Sequence, residues 1–475
     1  MLFMKLFFVC NIASDFKSFV PTILFFLKGG HDVSVYLARR IGAYIGCGDF
    51  LEEIKTGGGR VIFYDGSTED GMYPGLLPKG KKPLALPVSG TLFKNMHRLI
   101  RVKRFFHELL AAHMPEIVFL SQEDIHYLSP LIVLEAQALG IGALVIPFVM
   151  DNPEGAAEEF SKKPDYLVRS ILTKIIAKRY PSWVIEYKGR EVFHVPPMTV
   201  VALEWLKLAP ISPWSNACSF AHAVVVEGSA VRSKDPHARS KSRPIGSLTM
   251  DAMHEIRLNA ATLKAQLLQE VGLDPSRPFL LCALPPNQFN TNREGMEFES
   301  YIDVIQFCLA ALGQSGWQVI VNLHPRTEAA DFGLNTQEHP NIKVSTSPIW
   351  RLIALCDVYL SFTSATIRWA IACGTPVINY DVYRYHFDDY RGAPGVVHTD
   401  SKQDFVAFLN HTAEDSQYLE ELKAHQQRCA PEWGCLDGRS HERLLALCDE
   451  VLAAAKKLIY ESRTYWSGPH GPTTP

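Results

Sequence analysis

The sequence predicts an α/β protein with two Rossmann-like, doubly wound parallel-sheet domains and a C-terminal helix. The chain has 475 residues, a length that suggests two or three domains. Short apolar runs alternate with stretches of helical periodicity, as in β-α-β units, and this alternation occurs twice. We place the first domain at 1–245, the second at 246–440, and a helix with a flexible tail at 441–475. Because such sheets bind ligands at the carboxyl ends of their strands, an interdomain ligand cleft is expected.

The first domain opens with an apolar strand, a helix-like stretch and the pair Gly29-Gly30, which together indicate a β-α-β unit. Further helices are expected at 97–113 and 129–140, and the Pro- and aromatic-rich residues 150–215 are expected to form an insertion. The predicted strands are 5–12, 31–38, 60–66, 116–121, 143–149 and 222–228.

The second domain repeats the pattern after a long amphipathic helix predicted at 250–273. The chain then ends in a predicted amphipathic helix at 440–463. The predicted strands are 278–285, 317–325, 341–347, 358–362 and 375–381, and the helices between them are 298–316, 348–356 and 364–374.

Composition excludes several functions. Lys and Arg number 47 against 50 Asp and Glu, so no basic excess is present for a nucleic-acid partner. No apolar run approaches the roughly 20 residues of a membrane helix, and no basic residue precedes the N-terminal apolar stretch as in a secretory signal. The ten cysteines form no CxxC pair and no Cys/His spacing typical of zinc, which predicts reduced thiols in a cytoplasmic protein without a metal site.

A Ser/Thr-rich turn before the helix at 364–374 predicts an anion site. The first N–H groups and the positive dipole end of a helix attract an anion, and hydroxyls add donors. His324 and Arg326 follow a strand of the same sheet and are suited to contact a phosphate. The alternative is plain N-capping by Ser364 and a buried His324. The hydroxyls of this turn belong to Ser361, Thr363, Ser364 and Thr366.

Carboxylates at strand ends of the first domain are the candidates for catalysis, because a carboxylate in a cleft can act as a base, a nucleophile or a stabilising anion. We favour Asp151 together with Glu123 or Asp124, the latter two near His126, and Glu227 next. Helix capping is the alternative, above all for Asp124 and Asp151.

The segment 323–381 carries a recognisable order: a strand ending in His-Pro, a short helix, Asp357 before a strand, a Ser/Thr turn, and Gly-Thr-Pro-Val before the last strand. This order resembles the nucleotide-sugar half of the GT-B glycosyltransferases, with a layout similar to the UDP-GlcNAc 2-epimerase branch. Segments 121–149 and 221–253 resemble the family's acidic turn and its crossing into the second domain.

The chain also departs from this pattern. UDP-sugar members carry Gly-Gly after the turn and a Glu one turn into the helix, whereas this chain has Arg368 and Trp369 there. The His-Pro end and the Ser/Thr turn are similar to sialyltransferases and Kdo transferases, which use CMP-sugars. That resemblance implies backbone contacts to the base at Ser347 and Pro348. Asn287, at the end of another strand, is a further donor-site candidate, although turn chemistry explains it equally.

The resemblance implies a metal-independent glycosyltransferase with no cofactor besides its nucleotide-sugar co-substrate. The expected donor is a CMP-activated ulosonic acid, such as Kdo or a sialic-acid-like sugar, and the acceptor is a bacterial surface glycan of lipopolysaccharide or capsule. A lipid-linked acceptor would place this cytoplasmic protein at the inner membrane face, with the basic stretch 232–243 in contact. The alternatives are a UDP-sugar epimerase or hydrolase of the same fold, and a non-catalytic scaffold.

Overall fold

The computed structural model describes residues 3–72, 75–77, 81–87, 90–147, 152–289, 295–323, 339–390 and 392–466. The chain forms two compact units. Unit 1 contains residues 1–226, 232–243 and 443–475, and unit 2 contains residues 227–231 and 244–442. The chain thus crosses between units four times, whereas the sequence predicted one boundary at 245 and a separate C-terminal segment.

Unit 1 is built on a seven-stranded sheet of order β3-β2-β1-β4-β5-β8-β9, in which the pairs from β3 to β8 are parallel. The central strands β1, β4 and β5 are almost wholly buried, as expected for parallel strands covered on both faces. The strands are β1 Lys5–Cys10, β2 Asp32–Leu37, β3 Arg60–Ile62, β4 Ile117–Leu120, β5 Gly142–Val145, β6 Val184–Tyr187, β7 Arg190–Phe193, β8 Ala223–Val226 and β9 Ser242–Pro244.

The helices of unit 1 pack around this sheet, and a large core joins its strands to α3, α4 and α7. The described part of the predicted insertion, residues 152–215, contains three α-helices and the antiparallel hairpin β6–β7. The helices are α1 Ala13–Lys28, α2 Gly48–Thr56, α3 Leu92–His113, α4 Ser129–Ala138, α5 Pro153–Ser161, α6 Ile171–Arg179, α7 Pro197–Trp205 and α8 Pro236–Lys241.

Unit 2 is built on a six-stranded parallel sheet of order β12-β11-β10-β13-β14-β15. Its own core lies between the sheet and the helices α11 and α14. The strands are β10 Phe279–Ala283, β11 Gln318–Asn322, β12 Ile342–Ser345, β13 Val358–Ser361, β14 Val377–Tyr380 and β15 Val396–Thr399, and the helices are α9 Leu248–Leu258, α10 Ala260–Glu270, α11 Tyr301–Gln314, α12 Ile349–Ile353, α13 Ile367–Ala372, α14 Lys402–Glu414 and α15 Ser416–Trp433.

The two parallel sheets confirm the predicted fold class. The last helix, α16 Ser440–Trp466, belongs to unit 1 from Arg443 onward, and its Leu444, Leu447 and Val451 side chains are buried. Among the helices that the structure describes, none has the length and apolar composition to cross a membrane.

Candidate functional site

Polar side chains of unit 1 gather just after β4, at the carboxyl end of its sheet. Asp124 caps a short 3₁₀ helix and accepts a hydrogen bond from the backbone N–H of His126 at 2.8 Å. The same Oδ1 lies 3.1 Å from Nδ1 of His126. Because a carboxylate only accepts, Nδ1 carries the proton and Nε2 is left as the basic nitrogen. This geometry is a His base oriented by an Asp.

The surroundings of Asp124 favour its charged form. Burial by itself raises the pKa of a carboxyl group, but the hydrogen bond from His126 and the nearby charges of His126 and His194 outweigh it and lower the pKa of Asp124. Asp124 is therefore an anion under ordinary conditions, as the orienting partner of a His must be.

His194, a residue of the insertion, completes this cluster. Its ring lies 4.7 Å from that of His126, and burial, together with the charge of His126, lowers its pKa to about 3. Nε2 of His126 and Nδ1 of His194 are buried and have no hydrogen-bond partner among the described residues. A buried polar atom without a partner costs free energy, which a ligand hydroxyl could recover.

The ligand atoms of Asp124, His126 and His194 all lie within 4.8 Å of one another, so this trio also has the composition of a metal site. The sequence predicted no metal site. Spacing along the chain could not have shown this trio, since about 70 residues separate His194 from the other two.

A cavity of about 410 Å³ lies in unit 1 beside the cluster. Its apolar lining includes Ile185, Ile211 and Trp214, and Lys234 and Asp235 contribute polar groups. The Trp214 ring is 4.7 Å from His194, and its indole nitrogen is buried without a partner among the described residues. The rings of Trp214 and His194 therefore connect the cavity to His126. Sequence reasoning missed His194 and Trp214, because both lie in the insertion and no motif marks them.

Glu123, a predicted catalytic residue, has a structural environment instead. It is buried, and its carboxylate accepts three backbone N–H groups, from Ser219 at 2.8 Å, Phe220 at 2.6 Å and Ala221 at 3.0 Å. Burial raises the pKa of Glu123, and the three N–H groups oppose that shift. Lys241 donates to the carbonyls of Ser219 and Ala221, so both side chains hold the segment before β8 in place.

Glu227, the next predicted catalytic residue, is held in a buried ion pair within unit 2. Nε of Arg368 donates to its carboxylate at 2.5 Å, the indole N–H of Trp369 donates at 2.9 Å, and Ser247 Oγ donates at 3.0 Å. The resemblance in sequence places Arg368 and Trp369 where UDP-sugar members of the GT-B family carry a Glu, and in the structure both side chains bind Glu227. These three donors give Glu227 a structural environment, and its part in catalysis stays a prediction.

The Ser/Thr turn after β13 is internally bonded. Thr366 Oγ1 pairs with the Tyr359 hydroxyl at 2.6 Å and with Ser364 Oγ at 2.9 Å, while Ser361 is fully buried. The helix that follows begins at Ile367 and ends at Ala372, not 364–374 as predicted, so its dipole is that of a short helix.

Thr363 of this turn contacts polar side chains that lie at and just after the end of β14. It adopts φ +55°, a strained backbone conformation for a β-branched residue. Its N–H donates to Asn379 Oδ1 at 2.8 Å, and its hydroxyl lies 3.4 Å from Asp381 Oδ1. Asp381 also accepts the N–H groups of Tyr385 and His386 at 2.9 and 2.6 Å.

The remaining predicted donor-site residues fall in two groups. Ser347 and Pro348 precede α12, where the Ser347 carbonyl accepts from Asn322 at 2.9 Å, and Asn287 is exposed in a turn, bonded to the Phe289 N–H at 3.2 Å. Asp151, His324 and Arg326 lie outside the described residues. The part of all these residues in binding stays a prediction.

Comparison with solved structures identifies the fold. Glycyrrhiza uralensis UGT73P12, complexed with glycyrrhetinic acid 3-O-monoglucuronide, matches with a TM-score of 0.54 at 13% identity, over 98% of this chain and 99% of that one. The chain has the GT-B fold. CalG4, the calicheamicin glycosyltransferase, gives 0.51 at 15% identity, over 94% of this chain and 99% of that one. Phytolacca americana UGT2, complexed with UDP-2fluoro-glucose and pterostilbene, matches with a TM-score of 0.51 at 11% identity, over 95% of this chain and 100% of that one. No family model and no curated protein sequence matches the chain.

Proposed function

We propose that the protein is a glycosyltransferase, in which unit 2 binds a nucleotide-sugar donor and unit 1 binds the acceptor and supplies the base. The observation that carries this proposal is the Asp124–His126 pair at the carboxyl end of β4. The GT-B fold alone hosts several chemistries, so the site and not the fold must support the reaction.

In the proposed reaction, an acceptor hydroxyl gives its proton to Nε2 of His126 as its oxygen attacks the anomeric carbon of the donor. Asp124 holds the ring and stabilises the imidazolium that forms. The anionic nucleotide leaves with the bonding electron pair. The cavity beside Trp214 accepts the apolar part of the acceptor, and Lys234 at its polar side suits an acceptor that carries phosphate.

For the donor we propose a CMP-activated ulosonic acid, such as Kdo or a sialic-acid-like sugar, and for the acceptor a bacterial surface glycan. The support is the His-Pro sequence at 324–325 and the Ser/Thr turn, together with the Arg368 and Trp369 side chains that replace the Glu of UDP-sugar relatives. We propose that no resident metal ion takes part and that the protein acts at the cytoplasmic face of the inner membrane.

Two measurements test this proposal. Calorimetry with CMP, UDP and GDP should give the tightest binding for CMP, and His324→Ala should weaken it at least about tenfold, or ~1.4 kcal/mol. Consumption of CMP-Kdo should require an acceptor glycan and should persist in EDTA. Binding of none of the three nucleotides would indicate a scaffold instead.

A UDP-sugar epimerase or hydrolase is the second candidate, because the epimerase branch has a similar layout in sequence. It would convert a UDP-sugar with no acceptor present. Conversion of UDP-GlcNAc in that assay, without added glycan, would replace the transferase proposal.

A further inference from the structure

We infer that the exposed face of α6 and the cations beside it form a docking surface for a lipid bilayer that contains anionic lipids. We call this surface the α6 patch and define it by Arg169, Ile171, Leu172, Lys174, Ile175, Lys178 and Arg179. The inference rests on the proposed function only for the reason why the protein would bind a membrane, which is to reach a lipid-linked acceptor. The contact with lipid follows from the surface itself.

The α6 patch has an apolar stripe that no described residue covers. The side chains of Ile171, Leu172 and Ile175 are 81, 56 and 61% exposed. Positions three and four residues apart share one face of a helix, so these three lie together, while Ile176 and Ala177 face the core. Single exposed apolar residues are common on protein surfaces, but a cluster of three large ones on one short helix marks an interaction surface.

Cations flank this stripe. Lys174 and Lys178 are one turn apart on α6 and Arg179 follows, and all three are exposed. Residues 169–190 contain six Lys or Arg and one Glu, a net charge of +5 in a chain whose formal net charge is −3. None of these six cations forms an ion pair with a described residue. An apolar stripe bordered by cations is the pattern of a helix that lies in a membrane interface.

The positive charge of the α6 patch indicates that the bilayer it binds contains anionic lipids. Juxtamembrane cations are attracted to the negative headgroups of a cytoplasmic leaflet, and the attraction is lost in high salt. A protein partner would need an acidic, apolar surface of matching shape, for which nothing in the chain argues. A bilayer needs only the stripe and the charge, and both are present.

Two cations of the basic stretch 232–243, which the sequence suggested for membrane contact, bind backbone carbonyls inside unit 1. Lys241 donates to the Ser219 and Ala221 carbonyls at 3.2 and 2.8 Å, and Arg239 donates to the Ser233 carbonyl at 3.1 Å. The membrane contact therefore belongs to the insertion. The chain that follows α6 also lines the 410 Å³ cavity, through Ser182 and Ile185, so a bilayer on the α6 patch brings lipid close to the proposed acceptor cavity.

Vesicle co-sedimentation with the full-length protein tests the inference. We expect binding to vesicles of phosphatidylcholine with one quarter phosphatidylglycerol, at least tenfold weaker binding to phosphatidylcholine alone, and release in about 0.5 M NaCl. The triple variant Ile171→Ser, Leu172→Ser, Ile175→Ser and the charge variant Lys174→Glu, Lys178→Glu should each lose at least tenfold in partitioning.

Matched controls come from the same unit. Ile41→Ser with Ile45→Ser removes exposed apolar side chains elsewhere, and Lys17→Glu with Lys28→Glu reverses exposed charges on α1; both should bind as the wild type does. All variants alter exposed residues, and an unchanged melting temperature will verify that each is folded. Equal binding to both vesicle types, no binding to either, or equal loss in patch and control variants overturns the inference. Because the assay contains no donor or acceptor, its failure leaves sugar transfer untouched, and a failure of transfer leaves lipid binding measurable.

Discussion

Glu123 and Asp124 are adjacent in the sequence, but their carboxylates have different hydrogen-bond partners and opposite pKa shifts. Glu123 points to three backbone N–H groups, and burial raises its pKa, whereas the neighbouring imidazole lowers the pKa of Asp124. The sequence placed both at the carboxyl end of β4 but could not separate them, because one residue along an irregular segment reverses the direction of a side chain. The pair shows how a list of candidates from strand ends divides into a carboxylate bound by backbone N–H groups and one paired with a His.

Removing the imidazole of His126 tests the proposed base. His126→Ala should lower kcat at least about a hundredfold, since a positioned general base contributes that much or more. Asp124→Asn should also lower kcat, because an amide oxygen holds the ring less firmly, while nucleotide affinity, a property of unit 2, stays unchanged in both.

The matched control for His126 is His411→Ala, which removes a His that pairs with an Asp at 3.3 Å on an exposed helix of unit 2. It should keep wild-type kinetics. Normal turnover in His126→Ala would remove the base from the mechanism.

The buried imidazole of His194 predicts loss of stability in acid. Its folded-state pKa of about 3 lies below the ordinary value of 6.5, so the unfolded chain takes up a proton first as the pH falls. The contribution of neutral His194 to the free energy of unfolding is therefore complete above pH 6.5. It decreases as the pH falls toward 3, by up to about 1.4 kcal/mol per pH unit. Denaturant unfolding of unit 1 between pH 7 and 5 measures this slope.

His194→Phe keeps an aromatic ring against Trp214 and removes the titration. Its unfolding free energy should fall less steeply with acid than that of the wild type. Parallel slopes for the two proteins would assign the acid sensitivity to other groups.

At the scale of elements, the structure explains which strands and helices could be predicted from the sequence. The buried strands of both sheets were predicted because parallel strands are continuous apolar runs bounded by Gly or polar residues. The helix predicted at 250–273 is two helices, α9 and α10, divided at Asn259, whose ψ of 23° leaves the helical region. One Asn within a good amphipathic pattern is too weak a signal for such a break. Strand β15 was missed because its four residues include an exposed His398 and carry little apolar periodicity.

The candidate sites were predictable to a smaller extent. Asp124 and His126 follow a recognisable strand, so their place at a sheet edge could be read from the sequence. His194 and Trp214 reach the same cluster from an insertion with no regular pattern, and only tertiary packing brings them there. Likewise, the resemblance in sequence placed Arg368 and Trp369 where the family carries a Glu, but it could not show that they bind Glu227, which lies 141 positions before Arg368.

The Glu227–Arg368 pair ties residues 227–231 to helix α13, and its removal should be costly to unit 2. Arg368→Met leaves a buried carboxylate without its cation, which typically costs about 3–5 kcal/mol. The double variant Glu227→Gln, Arg368→Met should recover part of that loss, because no buried charge then remains. Denaturant unfolding gives both values, with exposed Arg351→Met as the control. A Glu227→Gln protein of normal stability that has lost turnover would restore the catalytic assignment.

At the scale of the whole molecule, unit 1 is assembled from segments that lie on both sides of unit 2 in the sequence. Unit 1 is not complete until the last helix has been added, because α16 returns to it after the whole of unit 2. Gly142 of β5 marks the contact: a Cβ at this position would lie 2.7 Å from Cγ1 of Val451. The sequence predicted α16 as an element, but an amphipathic pattern does not say which core receives its apolar face.

Deletion of residues 443–475 therefore has a specific expected result. It removes the buried side chains of Leu444, Leu447 and Val451 from unit 1, and at about 1.5–3 kcal/mol for each the loss is roughly 5–9 kcal/mol, enough to unfold many domains. Unit 2 keeps its own core, so calorimetry should show the unit 1 transition lowered or absent while nucleotide binding survives. The matched control is a deletion from residue 467, beyond the last helical residue Trp466, which should leave both transitions in place. Loss of nucleotide binding in the long deletion, with a retained unit 1 transition, would mean that the last helix supports unit 2 instead.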